Sequence, residues 1–554
     1  MAIQLKDKEF RLTKLTLMDF KVIEMDRVLT NLFARIFHNG ADSKLSRGSH
    51  DLNTIERFLL QFLDNAESFK GFNDGNNPEI VERWIETHLL DLVNRGKPQQ
   101  MVAAPRPLHG FTYRFRNAKH CRDYGAASMI YELLVNARNG AGSETLKQLK
   151  QYFFKGVDPA TGKMDADRSV DVEAQALLNT LNSGNVTVDT PQKDSRTPHK
   201  PICIGASDIL ANDLLRLLRY KDVIPRTVMV DYLKILLAFH LGLYHLRLLK
   251  LLPQLIAKNG KEPICENPRC PVRPFEANPC GDCPHQIGML LDVQGKPETW
   301  AAELARRSAE THFRRIPGYI KSGFLARKLD ELGGYLQKIG KPPGNNRSEL
   351  SLREVLGLLG PEFKTEREQF FQTRLQNIVE ESGDDDGALD PELQAVFDLK
   401  LDPVETYIEC LTVVRGDYHR KFITNFLDSS LLKNRPGALL AQTRARGSTR
   451  RFVLDTRLLE VLLQLAVLEV KNNKFQTCEI RIDDLLDFLR TRYGLYIDRL
   501  PPGDGFDTPT IRDLEALRMN REAFKNKLRD IGFFRDLSDA YITQNVTPRY
   551  RIKA

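Results

Sequence analysis

The run TVMVDYLKILLAFHLGLYHLRLLKLLPQLIAK, residues 227–258, sets the architecture of this chain. Apolar side chains occupy most of its circumference at helical spacing, so a helix here has almost no polar face for water and is buried on several sides. A bilayer is the other home for such a helix. Asp231, Lys234, His240, His245, Arg247 and Lys250 interrupt the run, and a membrane span rejects that many polar groups. The expectation is therefore a core helix, paired with a helix over 207–219 as the central hairpin of a helical domain. His240 and His245, five residues apart, do not share a face well enough to hold a metal together and read as core histidines with internal partners.

On either side of this run, apolar periodicity near 3.6 predicts helices over 14–37, 52–66, 78–94, 128–136, 143–154, 170–181, 299–313, 403–415 and 418–432. The fold class expected is mainly α. Polar, Pro-rich or acidic stretches at 184–201, 341–349 and 380–390 interrupt the pattern as linkers or solvated loops. They suggest an N-terminal helical domain over 1–182, a central helical domain over 201–434 and a C-terminal module over 435–554. The segment PRPLHGFTYRFRNAKHCR, 105–122, alternates Phe111, Tyr113 and Phe115 with Arg114 and Arg116. As a short strand it would place aromatics on one face and cations on the other, a surface on which bases stack or an ordinary edge strand.

Directly after the core helix, CENPRCPVRPFEANPCGDCPH (265–285) spaces four cysteines as C-x4-C-x9-C-x2-C among prolines that exclude helix and sheet. Four thiolates on two tight turns close tetrahedrally around one Zn2+, and a loop so poor in apolar residues needs such a clamp. Cys265, Cys270, Cys280 and Cys283 are the candidate ligands of a structural zinc site; four free thiols or a disulfide pair are the competing readings. Cys121, Cys203, Cys410 and Cys478 are scattered singly and imply no disulfide framework.

The 554 residues carry a net charge of +8, which favours a polyanionic partner. The first twenty residues lack the apolar core of a signal peptide, and reduced thiols suit zinc, so a cytoplasmic protein without a membrane span is expected. Arg306, Arg307, Arg314, Arg315, Lys321, Arg327 and Lys328 form a dense basic run, either a phosphate-tracking surface or a solvated helix face. Phosphate-loop, nucleophile-elbow, zincin and dinucleotide-binding motifs are absent, which argues against an ATPase or a serine hydrolase.

The positive excess is concentrated from Arg435 onward, where 22 Lys and Arg face 16 Asp and Glu, leaving +6 of the chain's +8. Arg444, Arg446, Arg450 and Arg451, candidate DNA contacts, lie on a Gly/Ser/Thr loop before an apolar helix over 456–470. A second helix follows with Asp483 or Asp484 near its cap and Gly494 at its end, then a Pro/Gly loop, a third helix over 510–531 and candidate strands at 533–537, 540–543 and 549–552. On the third helix Leu517, Phe524, Leu528 and Ile531 face a core, leaving Glu522, Lys525, Asn526 and Arg529 on the far side and its flank.

Three helices followed by a hairpin, with the phrase FKNKLRDIGFFRDLSDAYI, resemble the winged helix-turn-helix family over about the last hundred residues. The resemblance departs from the compact form of that family in the long loop 500–510. It implies duplex DNA as ligand, with Lys525, Asn526 and Arg529 in the groove and Arg535, Arg549 and Arg551 on or beside the wing. The whole layout resembles accessory subunits of bacterial anti-phage operons of the methylation-associated defence and phosphorothioation-dependent restriction types. That likeness implies a prokaryotic subunit working beside an ATPase and a modification enzyme. The function expected is a non-enzymatic DNA-binding subunit; the alternatives are a docking scaffold whose winged helix binds other subunits, and a metal-dependent nuclease.

Overall fold

The computed structural model describes residues 9–44, 56, 59–60, 78–93, 102–115, 122–158, 170–183, 190–191, 198–258, 287–343, 349–382, 389–445, 447–471, 474–534 and 545–553. In chain order the main elements are α1 (Met25–Phe37), β1 (Leu90–Val93), β2 (Val102–Pro105), α2 (Ala126–Val135), α3 (Ala141–Phe153), α4 (Val172–Ser183), α5 (Ile204–Leu218) and α6 (Arg226–Ala257). There follow β3 (Met289–Leu290), α7 (Trp300–Phe313), α8 (Ile316–Lys338), α9 (Lys364–Ser382) and α10 (Pro403–Ser430). The last part holds β4 (Leu440–Ala441), β5 (Arg451–Phe452), α11 (Thr456–Ala466), β6 (Leu468–Lys471), β7 (Lys474–Thr477), β8 (Ile480–Arg481), α12 (Ile482–Tyr493), β9 (Leu495–Tyr496), α13 (Ile511–Asp530) and β10 (Asn545–Val546). Most of the helix expected over 52–66 and the strand expected at 540–543 lie outside the described residues.

The protein is mainly helical, and α6 is its axis. Long and apolar enough to cross a bilayer, α6 instead has 94% of its most apolar window buried inside the fold. It packs against α1, α2, α5, α7, α8, α10 and α11, so its all-round apolar surface is covered by protein. Gly242, in the middle of α6, lets the end of α10 close in: a Cβ there would stand 2.5 Å from Leu431 Cδ2. His240 and His245 are core histidines, as their spacing implied. His240 Nε2 lies 2.9 Å from Asp213 Oδ2, and His245 lies 3.0 Å from Thr16 Oγ1 and 2.8 Å from the Leu241 carbonyl.

Several local expectations are corrected by packing. Residues 14–24 are not helical; α1 starts only at Met25, and the strip before it threads the core with Phe10, Leu12, Leu15, Leu17, Met18 and Phe20 all buried. The helix expected over 78–94 stops at Leu89, where β1 turns away to pair with β2. The aromatic-basic stretch is a 3-10 helix, Gly110–Phe115, with Phe111 and Tyr113 each 1% exposed and Arg114 over the Phe111 ring at 4.3 Å. Phe111 and Tyr113 cluster with Phe37 and Phe154 in the core and offer no stacking face. The two helices expected over 403–432 are one, α10, running through Gly416. An interior glycine costs about 1 kcal/mol, which burial of α10 against α8 and α9 offsets. The helix expected over 456–470 ends at Ala466, and the chain turns there into the β6–β7 hairpin.

The strands are short and pair in twos: β1 with β2, β4 with β5, β6 with β7 and β8 with β10, all antiparallel, and β3 with β9 in parallel. The β3–β9 pair ties 289–290 to the turn after α12 and so fixes the C-terminal helices to the body. That turn needs Gly494, at φ 74°, where a Cβ would lie 1.8 Å from the Ile287 carbonyl oxygen.

Candidate nucleic-acid interface

Thr510 starts α13 as a capping box: its hydroxyl accepts from Asp513 N at 3.2 Å, and Asp513 accepts from Thr510 N at 2.9 Å. Ala516, Leu517, Asn520, Phe524 and Leu528 form the buried face, and α13 lies against α7. Asn520, 1% exposed, is the anchor. Its Oδ1 accepts from Val293 N at 2.9 Å, and its Nδ2 donates to the carbonyls of Leu291 and Ile497, each at 2.8 Å. Replacing Asn520 by Leu strands three backbone groups in the interior. Each unsatisfied group costs about 1–3 kcal/mol, so Asn520→Leu is expected to lower stability by about 3 kcal/mol in chemical denaturation.

With that face inward, α13 presents Arg518, Arg521, Lys525 and Arg529 in one row, spaced three, four and four residues apart. The row is about 16 Å long at 1.5 Å per residue. Arg518 and Arg529 are exposed. Arg529 donates to Asn526 Oδ1 at 2.8 Å, with its guanidinium 5.5 Å from the Phe534 ring centre. Lys525 donates to Glu522 at 2.9 Å, and Arg521 reaches Asp483 on α12 at 2.5 Å. Arg518 and Arg521 were not singled out from sequence; the i, i+3, i+7, i+11 spacing was the signal available.

Beside this row, β8, which precedes α12, pairs with β10, which follows α13, and Phe534 bridges to Val546. The strand expected at 549–552 is absent; instead the Ile552 carbonyl accepts from Thr477 N at 3.1 Å. Arg444 and Arg551 are exposed. Arg549 is half-exposed and 3.5 Å from Glu460. Arg446 and Arg535 lie outside the described residues.

Two of the loop arginines are placed differently from the sequence expectation. Arg450 grips Asp428 at 2.6 and 2.8 Å and covers the Phe313 ring. Arg451 is 7% exposed, bound to Asp292 at 3.0 Å and to the Gly295 carbonyl at 3.2 Å. Both join segments of the fold, and for Arg451 the reason is burial, because a buried guanidinium needs a carboxylate. Every cation of the mid-chain basic run also has a carboxylate partner, as Arg521 and Lys525 of the α13 row do. Arg306 pairs with Glu303, Arg307 with Asp513, Arg314 with Glu310, Arg315 with Asp504, Lys321 with Glu409, Arg327 with Glu9 and Lys328 with Glu331.

Cys265, Cys270, Cys280 and Cys283 lie outside the described residues; among the described residues there is no cluster of His, Cys, Asp and Glu fit to hold a metal.

A family model described as methylation-associated defense system protein MAD7 matches residues 5–550. The chain belongs to this family. As a family member it is a defence-system protein, and such a system implies further components acting with it. No curated protein matches the chain.

Proposed function

We propose that this family member is a non-enzymatic, duplex-DNA-binding subunit of a prokaryotic defence system, acting in the cytoplasm beside other subunits, among them an ATPase. The observation that carries the reading is the row Arg518, Arg521, Lys525 and Arg529 along one flank of α13, with Arg518 and Arg529 exposed at its two ends. The order of α11, β8, α12, α13 and β10, with β8 paired to β10, supports a winged-helix arrangement around it. Asn526 beside the row supplies an amide for base edges, and Arg444, Arg549 and Arg551 extend the basic surface.

Because α13 and β9 are bound into 287–313, the test uses the full chain. Binding to a duplex should weaken steeply with salt, and the triple variant Arg518→Glu, Lys525→Glu, Arg529→Glu should lower the log–log salt slope by about 3, near 0.9 for each phosphate no longer neutralised. Equal slopes for the two proteins, or Mg2+-dependent cleavage of the duplex by the wild type, would overturn the reading.

The cysteines of the 265–285 segment are assigned to a structural Zn2+. Metal analysis of the purified protein should find about one zinc per chain, lost in Cys280→Ser and Cys283→Ser, since a four-sulfur site fails without one of its ligands. Full zinc retention by both variants rejects the assignment.

A further inference from the structure

The flank of α13 that carries the cation row does not begin at Arg518. Followed back toward the start of the helix, it passes through Leu514, four residues before Arg518, and Ile511, three before that. At about 100° of rotation per residue, Leu514 falls between Arg521 and Lys525 around the helix, and Ile511 falls level with Arg529. Leu514 is 56% exposed, and Ile511, at 81%, is the most exposed large apolar side chain among the described residues. Single exposed apolar residues are ordinary. Here two aliphatic side chains share one flank whose other positions are all cations.

Their placement is fixed by the fold. The capping box of Thr510 and Asp513 sets the first turn of α13, and Asp513 also pairs with Arg307 of α7 at 3.6 Å. Arg512, stacked 5.3 Å from the Trp300 ring centre, and Arg518 bracket Leu514 in sequence, and neither lies within ion-pair distance of a carboxylate among the described residues. Carboxylates border the row on both sides: Glu515 and Glu522 toward the neighbouring cleft, and Asp483 on α12. Glu522 is paired with Lys525, and Asp483 with Arg521.

We propose that Ile511 and Leu514 read pyrimidine C5-methyl groups in the major groove, the group that thymine carries and that 5-methylcytosine shares. The inference rests on the duplex-binding reading of the cation row and adds which base edge that row is set against. In a helix-turn-helix arrangement the N-terminal residues of the recognition helix meet the base edges. The groups that the four bases present there are hydrogen-bond donors and acceptors, with the thymine methyl as the apolar exception. An aliphatic side chain at that end of the helix therefore has one favourable partner, and against unmodified cytosine it covers an amino group that it cannot bond. An apolar protein surface is the competing occupant. The position of Leu514 within the row disfavours it, because covering Leu514 with such a surface also takes Arg518 out of water without a counter-charge.

The test uses one mixed-sequence duplex in three forms: with thymine, with uracil in place of thymine, and with uracil plus 5-methylcytosine in place of cytosine. Each is titrated against the full-length protein by fluorescence anisotropy. The wild type is expected to bind the uracil form more weakly than the thymine form, by roughly fourfold for each methyl contacted. Recovery on the third form assigns the contact to methyls of either base, and lack of recovery assigns it to thymine. The double variant Ile511→Ser, Leu514→Ser is expected to bind all three forms alike, about as weakly as the wild type binds the uracil form, and to keep the wild-type salt slope because no cation is removed. Leu514→Met should keep the preference. Both positions are exposed, and a thermal melt checks that the variants fold.

A wild type that binds the thymine and uracil forms equally, or a double variant that still separates them, overturns the proposal and leaves the row as a phosphate-binding surface. Wild-type affinity of the double variant for every form also overturns it, and turns the aliphatic pair toward a protein. Loss of salt-dependent duplex binding altogether sinks the reading of the row, and this inference with it.

Discussion

Replacing Asp213 by Ala is expected to destabilise the protein by about 4 kcal/mol, the range found when one partner of a buried ion pair is removed. Asp213, on α5, is fully buried and serves three partners from two other helices. Arg492 Nε donates to it at 3.0 Å, the Tyr493 hydroxyl at 2.8 Å, and His240 Nε2 sits 2.9 Å away. Burial by itself would raise the Asp213 pKa; the Arg492 guanidinium and the His240 hydrogen bond outweigh it and hold the carboxyl down at about 2. Without Asp213 the Arg492 charge stays inside with no counter-charge. The measurement is the urea midpoint at unchanged slope. Adding Arg492→Met to Asp213→Ala should recover part of the loss, because the stranded charge goes with it. A single-variant loss under about 1 kcal/mol would show that the network is worth no more than a surface ion pair.

Acidification is the second large effect. His109, His245 and His312 are each at most 1% exposed, and burial pushes the pKa of each down to about 4. Their neutral rings are held by backbone carbonyls: Lys155 for His109 at 3.1 Å, Leu241 for His245 at 2.8 Å and Ser308 for His312 at 2.9 Å. In the unfolded chain these rings take up protons near pH 6.5, whereas in the fold they stay neutral until about 4. Between those values the unfolded state binds more protons, so stability falls as pH falls. From about pH 7.5 to about pH 5 the three together should cost on the order of 5 kcal/mol. Denaturation midpoints across that range check it, and His245→Gln should remove about a third of the slope. A flat profile would mean that the rings already charge in the native state.

The core helix was legible because Asp231, Lys234, Arg247 and Lys250 within an otherwise apolar run exclude a bilayer and leave a protein interior. A run apolar all round must be enclosed, and α6 is enclosed by α1, α2, α5, α7, α8, α10 and α11. The helices α2, α3, α7 and α13 were legible for the complementary reason, a single apolar stripe at helical spacing. The inward face of α13 was legible as well: Leu517, Phe524 and Leu528 are buried where their spacing put them. The strip before α1 and the 3-10 helix at Gly110–Phe115 were not. Their apolar residues meet the core from several directions, which removes the periodicity that names an element.

The order of residues was enough for the helical class, the enclosed axis and the cationic excess of the C-terminal end, since each is a property of neighbours along the chain. Which cations still face solvent was fixed by folding. Arg307 finds Asp513, Arg315 finds Asp504 and Arg451 finds Asp292, each pair far apart in sequence. Charge counts are local, but the pairing that cancels a charge depends on which distant carboxylate the fold brings within about 4 Å.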